Sequence, residues 1–223
     1  MENTRDRDSR LRQVRGVIDR LTREGVVVAA TDGGTHAIFP VAVTAEDGDV
    51  VRRWVMREGA AHTIEIGLGY AMSALYICEG LLANGRTDAR HLAIDPFQGS
   101  RFADCGLQTL AAAGVTDLIE HHAEKSHFVL PQLLRAGRQF DLGFVDGNHR
   151  FDAVFVDLYY LGLLVKRGGV IVLDDYDLPG VKRAVAFFVT NLNWAVEEAA
   201  DDWVVLRTAH HADTRHFAHF VAF

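Results

Sequence analysis

The stretch Thr63 to Leu75, TIEIGLGYAMSAL, constrains the fold more than any other part of the chain. Thr63, Ile64 and Ile66 are β-branched, as a strand covered on both faces requires, and Gly67 and Gly69 follow where the chain must turn with little side-chain bulk. Ser73, Ala74 and Leu75 then begin a helical run. A glycine turn from strand to helix belongs to a parallel α/β sheet, whose carboxyl edge brings backbone N–H groups close to a ligand. A dinucleotide fingerprint would carry a third glycine at position 72, where Met72 stands, so a pyrophosphate reading loses weight. Glu65, beside the turn, suits a ligand with a cationic amino group.

From residue 62 the chain alternates strand and helix. A strand over 62–66 and a helix over about 70–83 are followed by a strand HLAID at 91–95, with Pro96 and Phe97 after it. Asp95 stands where a doubly wound fold offers a carboxylate to ribose hydroxyls. A helix is predicted over 101–113, then a strand ending near His122, Ala123 and Glu124, then a helix over 126–136 that Pro131 either kinks or delays. FDLGFVDGNHRFD at 140–152 reads as a strand ending at Asp146, with Gly147, Asn148 and His149 in the turn. A helix over 152–165, a KRGG turn at 166–169 and a strand ending in Asp174 and Asp175 come next. A helix after Gly180 and a hairpin around Asp201 and Asp202 finish the pattern. The expected fold is α/β: a Rossmann-like, doubly wound, seven-stranded and mostly parallel sheet with helices on both faces.

The motif E-I-G-L-G resembles the first motif of class I S-adenosylmethionine-dependent methyltransferases. V-D-G-N-H followed by K-R-G-G-V-I-V-L-D-D resembles small-molecule O-methyltransferases of that class, including macrolide-sugar and catechol-type members. The resemblance covers about residues 60 to 190. It implies an antiparallel last strand, S-adenosylmethionine as cofactor and the hydroxyl of a small molecule as methyl acceptor. The cofactor-binding residues it implies are Glu65, Gly67, Gly69, Ser73, Asp95, Pro96, Phe97, Ala123, Glu124 and Asp146. Glu65 and the glycine turn would take the methionine part, Asp95 the ribose, and the strand end at Ala123 and Glu124 the adenine. Asp146, Asp174 and Asp175 would gather at neighbouring strand ends, where like charges need a counter-ion, and in the resembling enzymes these positions hold Mg2+ or another divalent cation. His149 is a general-base candidate because imidazole titrates near neutral pH, and Asp146 is its catalytic neighbour.

The first 60 residues precede this pattern. Leu11, Val14, Val17, Ile18 and Leu21 make one face of a helix over 9–24, two short extended pieces flank TDGGT at 31–35, and Thr44 starts a second helix. The expected division is an N-terminal extension over 1–60 covering the active site and a methyltransferase domain over 61–223. A formal net charge of −7 argues against nucleic acid as partner, and no apolar run approaches a membrane span or a signal peptide, so a cytoplasmic protein is expected. Cys78 and Cys105 read as reduced thiols, Cys78 in a packing role. The histidines of the tail, His210, His211, His216 and His219, lack the spacing of a metal motif, and Phe217, Phe220 and Phe223 suit an edge or subunit contact, with a homo-oligomer as one outcome. Two other readings stay open: an NAD-type Rossmann oxidoreductase, and a non-catalytic S-adenosylmethionine-binding module.

Overall fold

The computed structural model describes residues 4–223. Helix α1 (Thr4–Glu24) leads into a hairpin, β1 (Val26–Val28) and β2 (Thr35–Ala37), and then α2 (Ala45–Arg57). The alternating part follows as β3 (His62–Ile66), α3 (Met72–Asn84), β4 (Arg90–Ile94), α4 (Gln98–Arg101), α5 (Cys105–Ala112), β5 (Ile119–His122), α6 (Ser126–Arg135), β6 (Phe140–Val145), α7 (Phe151–Leu164), β7 (Val165–Leu173), α8 (Pro179–Leu192), β8 (Ala195–Ala199) and β9 (Val204–Arg207). The main sheet has seven strands in the order β5-β4-β3-β6-β7-β9-β8. Pairs from β5 through β7 are parallel, and β9, the last strand in the chain, runs antiparallel between β7 and β8. The strand order reverses at β3, so the carboxyl ends of β3, β4 and β6 border a crevice, the usual ligand position in such sheets.

Alternation along each strand sends side chains to two apolar layers. Ile64 and Ile66 of β3 join the layer made with α6, α7 and α8. Leu142 and Phe144 of β6 face the other layer, made with α1, α2, α3 and α5. Thr63 and Glu65 are fully buried polar exceptions. The N-terminal segment forms the predicted helices and hairpin, with Thr44 capping α2 by accepting from the Asp47 amide. Val14, Ile18, Leu21, Trp54 and Val55 share one core with α3, each side chain contributing roughly 1.5–3 kcal/mol on burial. Where α2 crosses α3, a Cβ on Gly48 would overlap the Tyr76 ring, so only glycine lets the helices approach.

Three elements differ from the sequence expectation. The helix over 101–113 is two helices, because Ala103 and Asp104 take left-handed backbone conformations between α4 and α5. KRGG is no free turn: it lies within β7 as a bulge, with Val165 pairing Phe140 and Val170 pairing Leu142. Asp141, opposite the bulge, accepts from the amides of Ala61 and His62 at 2.8 Å and from Lys166, which fastens the start of β3. Helix α6 forms where expected, starting at Ser126 with Pro131 inside it rather than after the proline. The tail after β9 has no strand; Phe223 packs on Phe187 beneath Arg183, and Asn191 exchanges two hydrogen bonds with the Val221 backbone. Both cysteines are buried, and burial pushes the Cys78 thiol pKa up, consistent with packing.

Candidate active site

The glycine turn is held by the rest of the sheet edge. Gly67 has φ +96° and Gly69 +49°, and a Cβ on Gly67 would overlap the carbonyl oxygen of Asp146. Ala71 also takes a left-handed conformation just before α3, so the turn is completed without the third glycine. Asp95, from the end of β4, accepts at Oδ2 from the amides of Leu68 (3.3 Å) and Gly69 (2.9 Å) and from Gln98 Nε2 (2.9 Å), while Oδ1 accepts from the Phe97 amide at 2.7 Å. Gln98 also donates to the Gly69 carbonyl at 2.8 Å. Asp95 therefore clamps the turn in addition to lining the crevice, a role invisible in sequence because its donors are backbone amides brought together only by folding.

Glu65 is placed otherwise than expected. Its side chain is fully buried and does not line the cavity; Ser73, which does, donates to Glu65 Oε2 at 2.9 Å. Glu65 Oε1 lies 3.0 Å from His91 Nε2, in a charge contact too poorly aligned to be a hydrogen bond. The other ring nitrogen of His91 shares a hydrogen bond with Thr63 Oγ1 at 2.9 Å. Between Glu65 and the cavity thus stands Ser73.

A cavity of about 520 Å³ runs along the carboxyl edge. Gly67 to Tyr70, Met72 and Ser73 line its middle, and Asp95, Pro96 and Phe97 continue it past β4. Ala123 and Glu124 are exposed and are not part of its wall; Lys125, Ser126 and His127, at the start of α6, take that place. The strand end was located correctly in sequence, but the turn after it carries the wall two to four residues further on. Asp157 of α7, Arg101 at the end of α4 and Phe102 after it were also unforeseen, and Pro40 to Val43, from the extension expected to cover the site, line the cavity beside the glycine turn. Phe102 meets Tyr70 edge to face at 5.2 Å.

At the other end stand Asp146, Asn148, His149, Asp174 and Asp175, after β6 and β7. His149 lies between two carboxylates, with Nε2 3.5 Å from Asp146 Oδ1 and Nδ1 3.1 Å from Asp175 Oδ2. The nearby Asp146 carboxylate outweighs partial burial and raises the imidazole pKa. Burial, with Asp175 adding like charge, pushes the Asp146 carboxyl up to about 6. Burial first, then Asp146, pushes Asp174 up to about 8, although its Oδ1 accepts from the Asp175 amide. Ligand atoms of Asp146, His149 and Asp175 lie within 4.8 Å of one another. The set that converges thus differs from the expected trio, with His149 rather than Asp174 beside Asp146 and Asp175. Two carboxylates and an imidazole are a donor set that fits a divalent cation.

The methyltransferase-domain family matches residues 64–176, half of the chain, including the glycine turn and both acidic strand ends. No curated protein matches the sequence. Among solved structures, the O-methyltransferase TomG from Streptomyces achromogenes, involved in tomaymycin synthesis and solved with S-adenosylmethionine, is 24% identical over 77% of this chain and 82% of its own, with a TM-score of 0.65. Cofactor-bound Rv0187 from MTB is 19% identical over 92% and 91%, with a TM-score of 0.67. The O-methyltransferase from Bacillus cereus, in complex with SAH, is 17% identical over 90% of both chains, with a TM-score of 0.64. At these identities the structures establish a shared fold, and the match over 64–176 sets the chain apart from the NAD-type oxidoreductases. With its E-I-G-L-G turn on β3 and its antiparallel β9, the chain belongs to the methyltransferase-domain family, as a class I S-adenosylmethionine-dependent methyltransferase.

Proposed function

We propose that the protein transfers the methyl group of S-adenosylmethionine to a hydroxyl of a small molecule. The observation that carries this reading is one cavity joining the glycine turn and Asp95 to the Asp146–His149–Asp175 cluster. The methionine part lies against Gly67 to Gly69 and Ser73, with the nucleoside toward Asp95, Pro96 and Phe97. The sulfonium methyl then points toward His149, where the acceptor is held beneath Pro40 to Val43. A cavity of about 520 Å³ suits a ligand of cofactor size plus a small acceptor rather than a macromolecule. His149 takes the hydroxyl proton, and Asp146 and Asp175 orient the ring and stabilise the imidazolium that results. The methyl moves to the acceptor oxygen as the carbon–sulfur bond breaks, leaving S-adenosylhomocysteine. If Asp146, His149 and Asp175 instead hold a divalent cation, the imidazole would serve as its ligand rather than as the base, and the cation would supply a Lewis acid that lowers the pKa of the acceptor hydroxyl.

Calorimetric titration with S-adenosylhomocysteine, with and without a chelator, tests this reading. Binding is expected at one site per chain and with nearly equal affinity in both conditions, because the cluster lies at the acceptor end. Absence of binding would overturn it. Retention of full methyl transfer in excess chelator would leave His149 alone as the activating group.

A further inference from the structure

Asp157 lies on α7 where that helix packs against α6, on the side of the cavity past β4 and β5. It is only 2% exposed, yet it contributes to the cavity wall together with Ser126 and Ala153. Its carboxylate stands close enough to Ser126 for that side chain to favour its charged form, while Oδ1 has no hydrogen-bond partner. Among the described residues, eight side chains have a buried polar atom without a hydrogen-bond partner, and only Asp157 also lines this cavity. An orphaned buried carboxylate oxygen costs roughly 1–3 kcal/mol or more, so a ligand that brings a donor to it gains on binding. Burial has already pushed this carboxyl up to about 6.

We propose that Asp157 reads the exocyclic amino group of the cofactor's adenine, making it a specificity-determining residue for the nucleobase. The inference rests on S-adenosylmethionine occupying the cavity in the orientation given above. With the methionine part at the glycine turn and the ribose at Asp95, the base extends past Phe97 to the start of α6. The amino group is the base's only strong donor in the neutral nucleoside. Lys125, exposed beside Ser126, offers donors alone and cannot satisfy it. Asp157 Oδ1 is an acceptor already desolvated, and Ser126 stands beside the carboxylate. A base lacking the amino group would leave Oδ1 unpaired, and it is this penalty that discriminates.

The test is a binding cycle in calorimetry, using S-adenosylhomocysteine and its analogue with unsubstituted purine in place of adenine. Wild type is expected to prefer the adenine ligand by ~10-fold or more, the order for a hydrogen bond to a charged group. In Asp157→Ala the preference should fall to within about twofold. In Asp157→Asn, which keeps an acceptor but loses the charge, it should be intermediate. If Asp157 serves only to hold Ser126, both ligands weaken by the same factor and the preference is unchanged, which overturns the proposal. Should the alanine variant not fold, the asparagine variant decides: an undiminished preference there overturns it as well. Failure of wild type to bind either ligand would instead remove the cofactor reading beneath it.

Discussion

His149 is the residue on which two chemistries meet. An imidazole braced by Asp146 and Asp175 can take a proton, or it can join them around a cation, and the raised pKa means that the neutral ring prevails only above its ordinary titration range of about 6.5. Turnover that depends on His149 as base should therefore rise with pH through that higher value. His149→Ala should lower kcat by ~100-fold or more and flatten the profile, read from initial rates across pH. An unchanged profile would remove the histidine from proton transfer. Asp174 carries a second test. Its folded pKa, about 8, exceeds the ordinary carboxyl value of about 4, so the folded state binds the proton more tightly. The sign is fixed by that: stability contributed by this group is greatest below the unfolded value and is lost as pH rises from about 4 toward 8. Asp174→Asn should raise the thermal midpoint of the ligand-free protein near pH 8 and change it little near pH 4. Equal shifts at both ends would show that the carboxyl's charge is not the cause.

The β3-turn-α3 element shows how much of the site was legible. The β-branched run and two glycines gave strand, turn and helix within a few residues, because a strand buried on both faces and a turn needing positive φ each leave a compositional mark. Asp95, Asp146, Asp174 and Asp175 were found because acids at strand ends are marked by the apolar runs before them. What the sequence hid depends on tertiary neighbours. Ala103 and Asp104 break a helix that their spacing favours, and β7 absorbs KRGG as a bulge because Asp141 and Lys166 meet there. Glu65 turned to Ser73 and His91 rather than to the cavity, since its face of β3 is set by the pleat and covered by α3. Lys125 to His127, Asp157 and Pro40 to Val43 carry no motif at all. Gly67 gives the test at this scale. Its φ and its approach to the Asp146 carbonyl both exclude a side chain, so Gly67→Ala should lower the denaturation free energy by more than ~1 kcal/mol in a urea titration. It should also weaken cofactor binding by displacing the turn from Asp95. A midpoint equal to wild type would mean that the turn yields without cost.

At the scale of the whole molecule, the N-terminal segment is part of the same folded body. Helices α1 and α2 share a core with α3, and the loop from Pro40 to Val43 roofs the cavity that the sheet edge opens. Among the described residues no helix is long and apolar enough to cross a membrane. The cavity end after β6 and β7 is acidic, with Asp146, Asp174 and Asp175 in its wall and the His149 imidazole in contact with two of these carboxylates. The central claim is that methyl transfer to a small hydroxyl compound takes place beside His149. The most direct measurement is transfer of isotopically labelled methyl from S-adenosylmethionine into a metabolite extract, comparing wild type with His149→Ala and separating products by mass. Wild type should place the label in a low-mass methyl ether, and the variant should lose nearly all of it. Label found only in macromolecules, or at equal levels with both proteins, would contradict the account.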